Sequence, residues 1–359
     1  MFGIDKIDQF VRVATKSLIS KPVRASASSP AFDVLVAEVV RETADCVTLL
    51  LEPSSRIPAF RAGQYLKLAT SVDGDVHTRA YSISGRESAG LQVTVKAVTN
   101  GSVSQHLCRD LQAGDTLTAT GPHGTFVLPD DDAEPLAFLA VGSGITPILS
   151  MISTALEENP DRGIRLVYGN RGPDDIIFGA LLAGLEVDHP GFSVVHVLTK
   201  PKRGWQGERG RLTGERAARF LAPRAATHVY LCGPEELVDA TVRSLLDVGV
   251  QASRVHRERF TPRTREIADQ VNGEHAVQWV RSGITDTQQA GESLLDAANR
   301  VDANVPFICE AGECGECKIR VLKGEVLHEA DTCLSPTEVE AGLALACSSY
   351  AVTDLEVDA

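Results

Sequence analysis

The run Leu136-Ala-Phe-Leu-Ala-Val-Gly142-Ser-Gly144-Ile-Thr146-Pro147-Ile-Leu-Ser-Met-Ile-Ser-Thr-Ala-Leu-Glu-Glu-Asn159 changes character at its two glycines. Before Gly142 it is continuously apolar, as a strand buried on both faces must be. After Gly144 comes an apolar-rich stretch of helical length, with Pro147 in the first turn, where a missing N–H costs nothing. The same order recurs downstream. IRLVYGN (164–170) precedes DIIFGALLAGL (175–185), FSVVHVLTK (192–200) follows, and HVYLCG (228–233) leads into PEELVDATVRSLLDVG (234–249). Alternation of this kind predicts a parallel sheet covered by helices over 133–260.

Upstream the period shortens. VLVAEVVRE (34–42), CVTLLLEP (46–53), QYLKLAT (64–70), AYSIS (80–84) and LQVTVKAV (91–98) are short β-rich runs between turn residues. They predict an antiparallel barrel or sandwich over 34–132, with one helix near 103–111. Residues 1–33 place Ile4, Ile7, Phe10, Val11, Ala14 and Leu18 at helical spacing among Lys6, Arg12, Lys16 and Lys21. A helix docked on the body and an interfacial membrane helix over 1–21 both fit that pattern. Residues 261–274 are polar and aperiodic, a linker to a last domain over 275–359.

Bulk properties narrow the function. No stretch of the 359 residues approaches 18 consecutive apolar positions, and the start lacks the basic-then-apolar layout of a secretory signal, so a cytoplasmic protein is expected. A net charge of −13 argues against a nucleic-acid partner. From Glu274 onward 16 acidic side chains face 5 basic ones, a net −11 that leaves the first 273 residues at −2. An acidic module is attached to a nearly neutral body.

That module holds Cys309-x4-Cys314-x2-Cys317, with a remote Cys347. The spacing is that of the four thiolates of a [2Fe–2S] cluster. Gly312 and Gly315 let the backbone wrap closely, so that amides can point at sulfur. Zinc is the rival occupant, although zinc sites favour paired cysteines with a short gap. Cys333 fits no ligand position, and Cys46 and Cys108 read as buried small hydrophobes.

Two further strings carry chemistry. Arg79-Ala-Tyr81-Ser82-Ile-Ser84 supplies a guanidinium fork, a flat aromatic face and hydroxyls. Val95-Lys96 and then Gly101-Ser102-Val103-Ser104 follow it, the latter opening a helix whose amides can seat a pyrophosphate. Gly142, Gly144 and Thr146 lie at one strand end and Cys232-Gly233-Pro234 at another, on the edge where open α/β sheets bind ligands.

Taken together, RAYSIS, GSVS, GPHGTF (121–126), GSGITP, YGNR (168–171), LCGPEE and CEAGECGEC resemble the ferredoxin–NADP reductase superfamily. Their order is similar to the reductase components of bacterial oxygenases and membrane desaturases. The resemblance implies an antiparallel β-barrel flavin domain, an α/β nicotinamide domain and an α+β β-grasp ferredoxin domain. It places Arg79, Tyr81, Ser82, Val95, Lys96 and Gly101–Ser104 on the flavin, with FAD favoured over FMN. It sets Gly142, Gly144, Thr146, Cys232, Gly233 and Pro234 around the nicotinamide, and Thr146, Cys232 and Glu258 as the residues fixing hydride geometry. Phe260, in Glu258-Arg-Phe260, would shield the flavin. Arg171, Thr199 and Lys200 stand where members that prefer NADPH place groups for the 2′-phosphate, with Arg209 and Arg211 as further candidates. The implied activity passes electrons from NAD(P)H through flavin and cluster to an oxygenase, hydroxylase or desaturase presenting a basic docking face. A monomer is expected, and the alternatives are a stand-alone diaphorase or stress reductase with a small-molecule acceptor and a zinc-stapled nucleotide-binding interaction protein.

Overall fold

A computed structural model describes residues 31–53, 59–72, 74–99, 101–130, 134–260, 271, 273–307, 312, 315–329 and 332–359. The N-terminal amphipathic segment, Cys309, Cys314 and most of the predicted linker lie outside them. The chain divides into two compact units, Met1–Glu258 and Arg259–Ala359.

The first unit begins with strands β1 (Phe32–Thr43), β2 (Cys46–Pro53), β3 (Tyr65–Val72), β4 (Asp75–Ser82), β5 (Leu91–Lys96) and β6 (Thr116–His123), ordered β4-β3-β6-β1-β2-β5. A bridge from Ile83 to Val93 joins the chain just past β4 to β5, so the sheet closes on itself. Val34, Val47, Leu49, Leu68, Val93 and Val95 fill its interior, all without exposure. The helix Ser102–Arg109 plugs one end through Val103, Leu107 and Cys108. Cys46 and Cys108 are buried as expected.

The same unit continues into β7 (Leu136–Val141), β8 (Ile164–Asn170), β9 (Phe192–Leu198), β10 (Glu208–Arg209), β11 (His228–Cys232) and β12 (Val255–Glu258), all parallel, in the order β10-β9-β8-β7-β11-β12. Alternate residues of β7 serve the two faces. Phe138 and Ala140 pack with the helices Ile145–Glu158 and Gly179–Asp188, while Ala137 and Leu139 pack with Gly214–Leu221 and Glu235–Asp247. The helix Ile145–Glu158 buries Ile145, Ile148, Met151, Ile152 and Ala155 completely, at about 1.5–3 kcal/mol for each large side chain. It also holds the two sheets together, because Ser150 Oγ donates to Gly85 O at 2.6 Å.

The second unit has β13 (His275–Trp279), β14 (Ile284–Gln288), β15 (Lys318–Lys323), β16 (Val326–His328), β17 (Leu343–Leu345), β18 (Ser349–Ala351) and β19 (Leu355–Asp358). Five of them form a mixed sheet, β14-β13-β19-β15-β17, and β16 pairs with β18. The helix Leu294–Arg300 packs its Leu294, Leu295, Ala297 and Ala298 against Val277, Trp279 and Ile319. Ser293 starts it, accepting from Asp296 N at 3.1 Å while Asp296 returns the bond.

Candidate functional site

β7 stands where the strand order reverses, with β8 on one side and β11 on the other. The loops after β7 and β11 therefore open side by side, in the crevice where such sheets take ligands. They are in backbone contact. A Cβ on Gly144 would collide with the carbonyl of Cys232, and one on Gly233 would come within 3.1 Å of Val141 Cβ. Gly142 has φ +55°, a left-handed turn that suits glycine. Thr146 Oγ1 donates to Ser143 O at 3.0 Å, and Tyr168 Oη to Gly142 O at 3.0 Å. Burial pushes the Tyr168 phenol well above its ordinary value, so it remains a donor. Cys232 and Glu258 are register partners on β11 and β12, both buried. The structure thus brings Thr146, Cys232, Gly233, Pro234 and Glu258 to one sheet edge.

Arg171, Thr199 and Lys200 meet at the neighbouring strand ends. Lys200 N donates to Arg171 O at 2.6 Å, and Thr199 N to Asn170 O at 3.1 Å. The side chains of Arg171, Thr199 and Lys200 are exposed. Arg209 is occupied differently, its Nη2 donating to Trp205 O at 2.6 Å, which braces the following loop.

On the barrel, Arg79, Tyr81 and Ser82 close β4, and Val95 and Lys96 close β5. Burial raises the Tyr81 phenol. Lys96 Nζ pairs with Asp45 at 2.8 Å. Gly101 begins the helix Ser102–Arg109, and Ser104 Oγ fastens the turn by accepting from Val98 N at 3.0 Å and donating to Gly101 O at 3.3 Å. The amides of the first turn have no acceptor within the helix and stand as an anion seat. A guanidinium fork, an aromatic face and this seat are the donor set that a flavin with a pyrophosphate requires.

In the second unit, Cys317 and Cys347 are both buried and held together by Ala346 N donating to Cys317 O at 2.9 Å. Gly312 and Gly315 take φ +75° and +72°. A Cβ on Gly312 would approach Ser348 Oγ to 3.2 Å, so Gly312 lies close against the segment carrying Cys347. Two buried thiols beside a left-handed glycine loop fit a thiolate-held cluster. Cys333 N donates to Gly312 O at 2.8 Å, which puts Cys333 beside Gly312. Phe260 is half-exposed at 49%.

Some site features carry no motif. Tyr168 supports the Gly142 loop through a hydroxyl, and only its place in YGNR hinted at it. Thr48, bonded to Glu42, meets Thr94 across 46 positions, a distance that local spacing cannot reveal.

Three family models match the chain: an oxidoreductase FAD-binding domain at 33–128, an oxidoreductase NAD-binding domain at 138–243 and a 2Fe-2S iron-sulfur cluster binding domain at 277–352. One subunit of the 1,2-phenylacetyl-CoA epoxidase of Escherichia coli (strain K12) is 33% identical, over 90% of this chain and 96% of its own. The ferredoxin reductase component of 3-ketosteroid-9-alpha-monooxygenase from Rhodococcus rhodochrous is 31% identical, over 89% and 94%. Among solved structures, phthalate dioxygenase reductase matches with a TM-score of 0.60 and 27% identity, over 91% of this chain and 98% of that one. With flavin, nicotinamide and cluster domains in one chain, in the order the motifs implied, this protein belongs to the flavin- and [2Fe–2S]-dependent NAD(P)H oxidoreductases of the ferredoxin-reductase type.

Proposed function

We propose that the chain is the reductase component of an oxygenase system, drawing electrons from NADPH and handing them to a separate terminal oxygenase, hydroxylase or desaturase. The observation that carries this reading is the pairing, in one chain, of the β7–β11 crevice with the buried thiols Cys317 and Cys347. When bound, FAD takes an electron pair as hydride and the cluster moves electrons singly. The protein supplies orientation. Gly142 and Gly144 admit the dinucleotide backbone, Thr146, Cys232 and Glu258 fix the nicotinamide, and Gly233 and Pro234 aim the Cys232 strand end. Arg171, Thr199 and Lys200 select the 2′-phosphate. Arg79, Tyr81, Ser82, Val95, Lys96 and Gly101–Ser104 hold the flavin, and Phe260 covers it. Cys309, Cys314, Cys317 and Cys347 ligate the cluster. The working domains are 34–132, 133–260 and 275–359, with 1–33 and 261–274 as flanking segment and linker.

The −11 charge of the last domain suits a partner with a basic docking face. Among the described residues no helix is long and apolar enough to cross a membrane. Deleting residues from 274 onward tests the route. Flavin reduction by NADPH is expected to persist while delivery to a one-electron protein acceptor stops. A truncated protein that still serves such an acceptor would overturn the route through the cluster.

A further inference from the structure

The strands of the barrel point apolar residues inward and, at one place, hydroxyls outward. Val47 and Leu49 of β2 and Val93 and Val95 of β5 enter the core, while Thr48 and Thr94, cross-strand partners, face the other way. Thr48 Oγ1 lies 2.8 Å from Thr94 Oγ1, and Thr94 Oγ1 lies 2.7 Å from Ser84 Oγ. At the far end Thr48 Oγ1 donates to Glu42 Oε1 at 2.7 Å. The backbone of Phe178, which sits left-handed at the start of the helix Gly179–Asp188, lies near enough to the Glu42 carboxylate to favour its charged form. A single file of side-chain hydrogen bonds thus runs from Ser84, two positions past Ser82, to a carboxylate at the nicotinamide half of the unit.

The file excludes water along its middle, because Ser84, Thr94 and Thr48 are 3%, 4% and 4% exposed. Glu42 alone among the four is partly exposed, so the string meets solvent at its carboxylate end. Each hydroxyl carries one proton; Thr48 and Thr94 each lie between two partners, and Ser84 ends the string with Thr94 as its partner. With Glu42 ionised, the protons point Ser84 to Thr94 to Thr48 to Glu42. With Glu42 protonated, every bond can reverse. A chain with two uniform polarities is what transfers a proton end to end without moving a heavy atom. The other groups near Glu42 do not compete for that proton. Burial pushes the Tyr168 phenol up and the Cys46 thiol up to about 12, and Asp45 is paired with Lys96. Burial also raises Glu42 itself above the usual carboxylate range, against hydrogen bonds that oppose it.

We propose that Ser84, Thr94, Thr48 and Glu42 form a proton relay in which Glu42 stores the proton that hydride transfer leaves behind. This rests on the reading that electrons leave one at a time. A hydride brings two electrons and one proton. Two one-electron acceptors remove the electrons, so one proton must depart for each NADPH oxidised. The proton would leave the reduced flavin held by Arg79, Tyr81 and Ser82 as its electrons depart. Ser84 Oγ, two positions past Ser82, would take it while passing its own proton to Thr94. Thr94 would pass one to Thr48 and Thr48 one to the Glu42 carboxylate, which becomes the acid before releasing it to water. Glu42 and the hydroxyls act through one another and touch neither substrate nor nicotinamide.

Infrared difference spectra of the full-length holoprotein, recorded while the NADPH-reduced protein is reoxidised by ferricyanide, give the direct test. The wild type is expected to show a transient protonated-carboxyl band during reoxidation that shifts in D2O and disappears in Glu42→Gln. In Thr94→Val, which keeps the shape of the strand, the carboxyl is expected to respond to bulk pH yet no longer follow reoxidation. Turnover with ferricyanide is expected to fall about tenfold or more in both variants, with the pH profile flattened and flavin reduction by NADPH unchanged. No carboxyl band in the wild type, or one that persists in Glu42→Gln, overturns the relay. If the wild type cannot reduce ferricyanide at all, it is the reading of single-electron delivery that fails.

Discussion

The two redox sites are built in opposite ways. The β7–β11 crevice is assembled from the ends of regular strands, and its residues follow from topology: once β7 pairs with β8 and β11, the Gly142 and Cys232 loops have no other place to go. In the cluster site the described residues include two left-handed glycines, Gly312 and Gly315, and backbone bonds such as Cys333 N to Gly312 O. One site exists before its ligand arrives. The other is completed by it, since metal binding and local folding are a single equilibrium for thiolate sites. Their charge differs in the same sense, a nearly neutral body against a module at −11.

The strongest way to break this contrast is Cys347→Ser. It is expected to abolish the cluster and cut one-electron protein reduction at least about a hundredfold, with NADPH-dependent flavin reduction retained. Absorbance and acceptor assays read both quantities, and parallel loss of flavin reduction would erase the distinction. Gly144→Ala attacks the other site. The new Cβ would strike the Cys232 carbonyl, so about 1–3 kcal/mol of stability and much of the hydride rate should go, while iron content stays intact.

Acid sharpens the comparison further. His256 stacks on Tyr230 with ring centres 4.4 Å apart, and its ring lies beside His228, with Nε2 to Nδ1 at 3.0 Å. Burial, and then the neighbouring imidazole, lower it to about 4 from 6.5. A folded value below the unfolded one means stability is complete above pH 6.5 and declines as pH falls toward 4. After solvent screening the loss is about 1–2 kcal/mol. Urea midpoints across that range should slope for the wild type and flatten in His256→Gln. The smallest effect is on docking: turnover with the physiological partner should drop two- to tenfold, in rough terms, from low to physiological salt, whereas flavin reduction stays level.

Most of the chemistry was legible because it sits in short strings with a mechanical reason. Glycines mark close approaches, Pro147 marks a helix start, and cysteine spacing marks a cluster. Much of the architecture was not. β6 reads as threonines and turn residues, and its partners β1 and β3 supply its apolar context. The helix Gly214–Leu221 opens on glycine and is rich in charge, and its one local signal is Thr213, whose hydroxyl accepts from Arg216 N at 3.3 Å. β17 is three residues long, and β19 pairs with β13, 78 positions away. The Glu42–Ser84 string is hidden for the same reason, since its members are ordinary strand residues until the sheet aligns them.

The central claim, that electrons entering at the crevice reach the cluster, is tested most directly by electron paramagnetic resonance of the full-length protein frozen after anaerobic mixing with NADPH. The expected result is the rhombic signal of a reduced [2Fe–2S] centre, growing as the flavin absorbance bleaches and absent after deletion from 274. A bleached flavin with no cluster signal would contradict the account.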